Sequence, residues 1–212
     1  MRRLLATCAA LLAVACARPA SAQVAGQFGP AVPLAVNQHV MGGYVALAQH
    51  QTEALAQLRL SFYPGMDFGF QGGLHRYDTG NASRTAVELG GDVRTAVARR
   101  ASGAPFDITL GGAIQISSAD HRGVLDVGPT LAASRAYVLH GGTQLSPYAG
   151  LALLYTRTDQ DGANATDLTL PLRGGVEYQP NADMRLVLEF QVPLSDPQGT
   201  HPKVVLGANF PF

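Results

Sequence analysis

The chain has 212 residues, and its 15 Lys and Arg balance 15 Asp and Glu, so the formal net charge at pH 7 is zero. This balance excludes the basic surface by which a domain binds nucleic acid. Charged residues make up only 14% of the chain, and 24 residues are Gly. Since soluble domains carry roughly a quarter of charged residues, the composition favours a surface that contacts lipid.

Residues 1–22 have the organisation of a cleaved signal peptide. Met1-Arg2-Arg3 is positively charged, an apolar run extends from Leu4 to Ala17, and Ala20-Ser21-Ala22 fits the small-x-small cleavage pattern. We therefore predict cleavage after Ala22 and export of the rest of the chain. An uncleaved membrane helix and a lipoprotein acylated at Cys16 remain as alternatives.

Cysteine is confined to this leader, at Cys8 and Cys16. The mature chain would then contain no thiol. Its fold cannot depend on disulfides, and thiolate catalysis and thiolate metal sites are excluded.

Beyond the leader, apolar and polar residues alternate in stretches of about ten residues that turn residues separate. In residues 184–194, Leu186, Leu188 and Phe190 share one face while Arg185 and Glu189 share the other. We expect an all-β fold, a closed antiparallel up-and-down barrel of ten strands, or of eight if the first pair lies outside the wall. The strands are expected near 39–49, 54–63, 66–76, 87–94, 106–117, 123–138, 146–157, 168–178, 184–194 and 203–212.

Alternation alone does not decide which face of such a barrel points outward. A soluble lipocalin-like barrel has the same period with its apolar face inward. However, a wall that faces water normally carries many lysines, and Lys203 is the sole lysine of this chain. We therefore expect the apolar face to point outward, into a membrane.

The last predicted strand places apolar side chains on one face at alternate positions: Val204, Leu206, Ala208, Phe210 and Phe212. This strand resembles the C-terminal assembly signal of bacterial outer-membrane proteins. Pro147-Tyr148-Ala149-Gly150-Leu151-Ala152 also resembles a strand pattern of the small OmpA/OmpX-type outer-membrane barrels. The resemblance covers residues 38–212.

This resemblance implies an outer-membrane location, with outer-membrane lipid and lipopolysaccharide around a monomeric barrel. It also implies that the barrel assembly machinery recognises the last strand. Residues 23–37 would form a short periplasmic N-terminal segment, and both ends of the barrel would lie in the periplasm. The more polar connections, near 50–53, 77–83, 118–122, 158–166 and 195–202, would then be the outer loops.

The polar faces of 168–178 and 184–194 carry opposite charges that suggest a register. If Arg173 faces Glu189 in the hairpin that turns near Asn181, then Glu177 faces Arg185. We predict these two ion pairs in the barrel lumen. Further charged residues on inward faces would extend the network: Glu88, Asp92, Arg94 and Arg59.

Two interpretations of this charged lumen remain open. In a barrel of eight or ten strands, paired side chains can fill the interior as a plug. Alternatively, Arg94, Arg173 and Glu189 line a narrow passive channel.

The histidines His50, His75, His121 and His201 fall in or beside the expected outer loops. A cation site at the rim, or a hydrolase triad with Ser83 or Ser118, is conceivable, but solvated polar loops explain the same residues. We predict no catalytic residue, metal site or cofactor. The expected function is a non-enzymatic structural or surface-interaction role, with a porin-like channel and a soluble periplasmic lipocalin-like binding barrel as alternatives.

Overall fold

The computed structural model describes residues 28–78, 83–120, 122–195 and 201–212. The expected signal peptide, residues 1–22, and His121 lie outside the described residues. None of the described residues belongs to a helix long and apolar enough to cross a membrane.

The described residues form thirteen strands, joined in places by short 3-10 turns at Arg100–Ser102 and His140–Gly142. The strands are β1 (His39–Ala48), β2 (Gln51–Tyr63), β3 (Met66–Asp78), β4 (Ser83–Ala98), β5 (Asp107–Ala119), β6 (Arg122–Ser134), β7 (Tyr137–Val138), β8 (Gln144–Ala152), β9 (Leu154–Gln160), β10 (Ala163–Thr169), β11 (Pro171–Gln179), β12 (Arg185–Pro193) and β13 (Lys203–Pro211).

The sheet closes on itself with ten strands in its wall. Strands β8 and β9 are two parts of one wall strand interrupted at Leu153, because both pair with β6. Strands β10 and β11 form another, interrupted at Leu170, and β7 is a two-residue addition that pairs with β8. Antiparallel pairing of β13 with β1 closes the barrel. The prediction of ten strands is confirmed, and the first pair, β1 and β2, belongs to the wall.

Apolar side chains point outward and polar side chains fill the interior. Met41, Ile114 and Leu206 are about half exposed on the outer face, whereas Gln57, Gln115 and Glu189 are buried inside. This arrangement is the reverse of a lipocalin, so the soluble lipocalin-like alternative is wrong. An apolar outer wall around a polar interior is the arrangement of a transmembrane barrel.

The wall strands differ in length around the barrel. Strand β4 has 16 residues and β3 has 13, whereas β12 and β13 have 9 each. Since about 9–11 tilted residues cross a bilayer, strands β2 to β6 are long enough to extend beyond it. At the end of the barrel opposite the chain termini, residues 49–50 join β1 to β2 and residues 161–162 join β9 to β10. The expected outer loops at these two points are therefore tight turns.

Residues 28–34, part of the expected N-terminal segment 23–37, lie inside the barrel. Phe28, Ala31 and Leu34 are buried, and the ring of Phe28 lies 4.3 Å from that of Tyr44 on β1. The segment carries apolar side chains to a lumen whose wall is polar. Alternation within strands gives no sign of this, because the segment is not itself a strand.

Candidate functional site in the barrel lumen

A cluster of four charged side chains fills the lumen near the end where the chain termini lie. Arg59 Nη2 lies 2.6 Å from Asp67 Oδ1 and 2.8 Å from Asp92 Oδ2. Arg94 Nε lies 2.7 Å from the same Asp67 Oδ1. We call Arg59, Asp67, Asp92 and Arg94 the lower cluster. Two guanidinium groups balance two carboxylates, which is what burial of charge requires.

The lower cluster also holds the entering segment. Arg94 donates through Nη1 to the carbonyl of Pro30 at 2.8 Å and through Nη2 to the carbonyl of Val32 at 3.0 Å. The backbone amide of Leu34 donates to Asp67 Oδ2 at 2.8 Å. Residues 28–34 are thus fixed by charge-assisted hydrogen bonds, which are stronger than neutral ones.

A cavity of about 240 Å³ remains between the segment and the barrel wall. Arg59, Arg94, Glu177 and Arg185 are among the side chains that line it, together with Asn209. The lining therefore contains both signs of charge, and the cavity is large enough for several water molecules.

The register of β11 with β12 differs from the sequence prediction by one pair. Arg173 lies opposite Gln191, Gly175 lies opposite Glu189, and Glu177 lies opposite Val187. The expected opposition of Arg173 to Glu189 and of Glu177 to Arg185 is wrong.

Other contacts accompany this register. Arg185 Nη1 still reaches Glu177 Oε1 diagonally, at 3.9 Å. Glu189 accepts hydrogen bonds from the Tyr148 hydroxyl at 2.7 Å and from Gln191 Nε2 at 2.6 Å. The prediction considered only charged side chains on β11 and β12, and so it did not include the hydrogen bond from Tyr148 of β8 to Glu189.

Two inward tyrosines cover glycines of the neighbouring strand. Tyr44 on β1 lies directly opposite Gly207 on β13, and Tyr148 on β8 lies opposite Gly175 on β11. A Cβ at Gly175 would come within 2.7 Å of the Tyr148 ring, and one at Gly207 would overlap Cδ1 of the Tyr44 ring. Tyr148 therefore lies inside the lumen, unlike exposed aromatic residues at the same end of the barrel such as Tyr63 and Phe212.

A second cluster lies in the half of the lumen farther from the chain termini. Glu53, His75, Glu88 and Lys203 are each at most 2% exposed. Lys203 Nζ donates to Glu53 Oε1, His75 Nε2 lies 3.8 Å from Glu53 Oε1, and His75 Nδ1 lies 3.4 Å from Glu88 Oε1. We call these four residues the upper cluster.

A chain of glutamines leads to the upper cluster. Gln57 Nε2 donates to Gln71, Gln71 Nε2 donates to Gln115, and Gln115 Nε2 donates to Glu88 Oε2, each at 3.4 Å. This chain of amides fills the middle of the lumen with hydrogen bonds in place of open water.

The structure separates the sequence-derived candidates into three regions. Asp92 and Arg94 belong to the lower cluster and Glu88 to the upper one, whereas Arg173, Glu177, Arg185 and Glu189 lie on β11 and β12. On the last strand, Leu206, Phe210 and Phe212 are exposed on the outer face, in alternation with buried Lys203, Val205 and Asn209.

Two residues that the sequence places at the rim lie in the lumen instead. The sequence predicts His75 in or beside an outer loop and Glu53 in the loop near residues 50–53, yet the side chain of each is only 1% exposed. Strand β2 begins at Gln51, so the alternation of Glu53, Gln57 and Arg59 on one face was the signal that could have found Glu53. His50, by contrast, is exposed in the turn after β1.

The suggested catalytic serines have ordinary surroundings. The Ser83 hydroxyl accepts a hydrogen bond from Arg76 Nε at 2.7 Å, and Ser118 is exposed on β5. Neither contacts a histidine–carboxylate pair among the described residues.

No family model and no curated protein matches the sequence. Among solved structures, the chain is similar to the β domain of the Bordetella autotransporter BrkA, with 11% identity, 83% of this chain and 99% of that one covered, and a TM-score of 0.49. It is also similar to an outer membrane channel from Pseudomonas putida F1, with 11% identity, 88% and 100% coverage, and a TM-score of 0.48.

A third similar structure is the N-terminal β-barrel domain of Pseudomonas aeruginosa OprF, with 9% identity, 84% and 98% coverage, and a TM-score of 0.34. All three TM-scores lie below 0.5. The architecture and orientation given above rest on the strand pairing and side-chain burial of this chain itself.

Proposed function

We propose that this protein is a non-enzymatic, structural outer-membrane barrel whose lumen is closed. The observation that carries the proposal is the seal made by residues 28–34, which Arg94 holds through the carbonyls of Pro30 and Val32. Arg94 is itself neutralised by Asp67. Opening the lumen requires breaking these buried contacts, and each broken one leaves an unpaired polar group.

The proposed location rests on the outer wall and on the last strand. The outward face of β13 carries Leu206 and Phe210 and continues to Phe212, in keeping with the resemblance to OmpA/OmpX-type barrels. We propose that the barrel assembly machinery recognises this strand. Outer-membrane lipid and lipopolysaccharide then surround a monomeric barrel.

A surface-interaction role would involve strand ends and hairpins more than long loops. Residues 159–166, around the turn between β9 and β10, are all exposed. Arg84 on β4 forms an exposed ion pair with Asp120 at 3.4 Å. We propose this polar rim as the part of the protein that faces outward from the cell.

Membrane fractionation with heat-modifiable gel migration tests the proposed location. We expect the mature protein in the outer-membrane fraction, with a folded form that migrates differently from the boiled form. Recovery from the periplasm without detergent would contradict the proposal.

A narrow passive channel is the second candidate, and the cavity of about 240 Å³ beside the segment favours it. Planar-bilayer recording separates the two functions. For a closed lumen, we expect the wild-type protein to be silent and Arg94→Met, which removes the hydrogen bonds from Arg94 to the carbonyls of Pro30 and Val32, to conduct.

Steady conductance of the wild-type protein would support the channel and contradict the closed lumen. If wild type and Arg94→Met are both silent, the segment is not what closes the barrel, and the seal at Arg94 no longer carries the proposal. Arg84→Met, at the exposed rim pair, is the matched control and should record as wild type.

A further inference from the structure

We propose that the upper cluster binds one divalent transition-metal ion through Glu53, His75 and Glu88. One ligand atom from each of these residues can be chosen so that all three lie within 4.8 Å of one another. The residues come from β2, β3 and β4, three adjacent strands whose pairing fixes the spacing of their inward side chains. This site lies apart from the proposed seal at the lower cluster.

Each of the three proposed ligands has a buried atom without a hydrogen-bond partner. Glu53 Oε2, His75 Nε2 and Glu88 Oε1 are buried without a hydrogen-bond partner. Buried polar groups are nearly always paired, and an unpaired one costs free energy. Three such atoms on three neighbouring residues indicate a missing partner that accepts lone pairs, and a metal ion is such a partner.

The separations suit a small ion. Ligands at zinc–nitrogen and zinc–oxygen distances lie about 3.3 Å from one another in a tetrahedral site. Here Glu88 Oε1 lies 3.4 Å from His75 Nδ1, and Glu53 Oε1 lies 3.8 Å from His75 Nε2. These two distances involve different nitrogens of the same ring, and one ion binds only one of them. One nitrogen of His75 and one oxygen of each carboxylate lie within 4.8 Å of one another, so rotation of the side chains would bring the three atoms to the ligand spacing.

Charge also favours a cation at this site. Asp126 is buried in the same half of the lumen, within the electrostatic influence of Glu88 and Lys203. This half of the lumen therefore contains three buried carboxylates, those of Glu53, Glu88 and Asp126, and one buried ammonium, that of Lys203. Arg122 contributes a further positive charge at the mouth.

The donor set selects the class of ion. Two carboxylates with one imidazole suit zinc and its neighbours, because the nitrogen donor disfavours calcium and magnesium. A small cavity of about 10 Å³, lined by His75, Gln51 and Arg122, lies on the rim side of the cluster. It has room for about one water molecule, the usual further ligand of an incomplete protein site.

Lys203 makes the proposal testable, because its ammonium donates a hydrogen bond to Glu53 Oε1. The ion and this ammonium compete for the same carboxylate. Removing the ammonium should therefore strengthen metal binding, whereas a purely structural ion-pair network would gain no affinity for metal.

The experiment uses the folded mature protein in detergent, stripped with a chelator and dialysed against zinc chloride. We expect about one zinc per wild-type chain, and roughly tenfold or greater loss of affinity in His75→Ala and Glu53→Gln. His50→Ala removes an exposed turn histidine and Glu189→Gln alters a buried carboxylate on β12, and both should bind zinc as wild type does.

Lys203→Met should have the opposite effect, because its affinity for zinc is expected to rise roughly tenfold above that of wild type. This variant also decides the matter if His75→Ala does not fold, as judged by heat-modifiable migration. No zinc uptake by wild type, unchanged affinity in Lys203→Met, or zinc that leaves with His50→Ala and stays in His75→Ala would each overturn the site.

Discussion

At the scale of single residues, Asp67 shows how a buried charge is accommodated in this barrel. Its carboxylate is fully buried and accepts hydrogen bonds from Arg59, from Arg94 and from the amide of Leu34. Three donors from two strands and the segment compensate for the water that the carboxylate loses. Asp67 therefore joins the wall to the segment, a role that its position beside a turn does not reveal.

The tyrosine–glycine pairs lead to a prediction for Gly207. Gly207→Ala should destabilise the folded barrel by roughly 1–3 kcal/mol, because the added methyl group overlaps the Tyr44 ring in a filled lumen. That ring cannot move freely, since it packs on Phe28 and its hydroxyl contacts Asn209. The midpoint of thermal or urea unfolding in detergent measures the change.

Gly43→Ala is the matched control on the adjacent strand. Gly43 pairs with Ala208 on the outer face, and a Cβ there meets nothing within 4 Å. We expect no loss of stability. Equal midpoints for the two variants would contradict the described packing of Tyr44 over Gly207.

At the scale of elements, a strand's two faces meet different surroundings. In β5, Ile114 points outward while Gln115 is buried and bonded to Glu88. The same alternation holds in β13, where Lys203 and Asn209 are inside. The faces follow from the period of two, and the apolar face becomes the outer one because it is the face that meets lipid, which leaves the polar side chains in the interior.

Ile114→Arg tests which face meets lipid. Ile114 lies in the middle of β5, opposite Gly91 on β4 and Val127 on β6. An arginine near the bilayer midplane should cost roughly 2–4 kcal/mol. Reversible unfolding in lipid vesicles is the measurement.

Val138→Arg provides the comparison in an exposed turn strand. Val138 is 79% exposed in β7, and a substitution away from the midplane should cost less than about 1 kcal/mol. An Ile114→Arg variant as stable as Val138→Arg would mean that the outer wall does not lie in lipid.

At the scale of the whole molecule, the N-terminal segment and the barrel form one domain. Arg94 and Asp67 hold the segment against the wall, and a separate chain of glutamines reaches Glu88 in the other half of the lumen. In the folded protein, residues 28–34 lie inside the barrel that the pairing of β13 with β1 closes.

The leader gives a prediction about the exported protein. The intact mass of the mature chain should correspond to a start at Gln23, and thiol titration should find no cysteine, because Cys8 and Cys16 lie in residues 1–22. A mass that includes a lipid on Cys16 would support the lipoprotein alternative. Retention of Met1 would support the uncleaved helix.

The sequence predicted the identity of each face and ten strands with eight as the alternative, and the pairing of β1 with β2 and β13 decided for ten. Alternation in β12 and β13 specifies which side chains share a face, since successive side chains of a strand point to opposite sides. Composition then indicated that the apolar face is the outer one. The first inference depends on the local geometry of a strand and the second on the amino-acid composition, and both can be read from the sequence.

Contacts between distant segments were decided only by the tertiary structure. In the observed register of β11 with β12, Arg173 lies opposite Gln191 and Glu189 is paired with Tyr148 of β8. Glu53 is lumenal because β2 begins at Gln51, inside the expected loop. The entry of residues 28–34 depends on Arg94, which lies far along the chain. The sequence by itself determined strands and faces because both arise from neighbouring residues. The position of residues 28–34 and the two clusters were decided by the tertiary structure, because closure of the barrel brings together side chains that are far apart in the sequence.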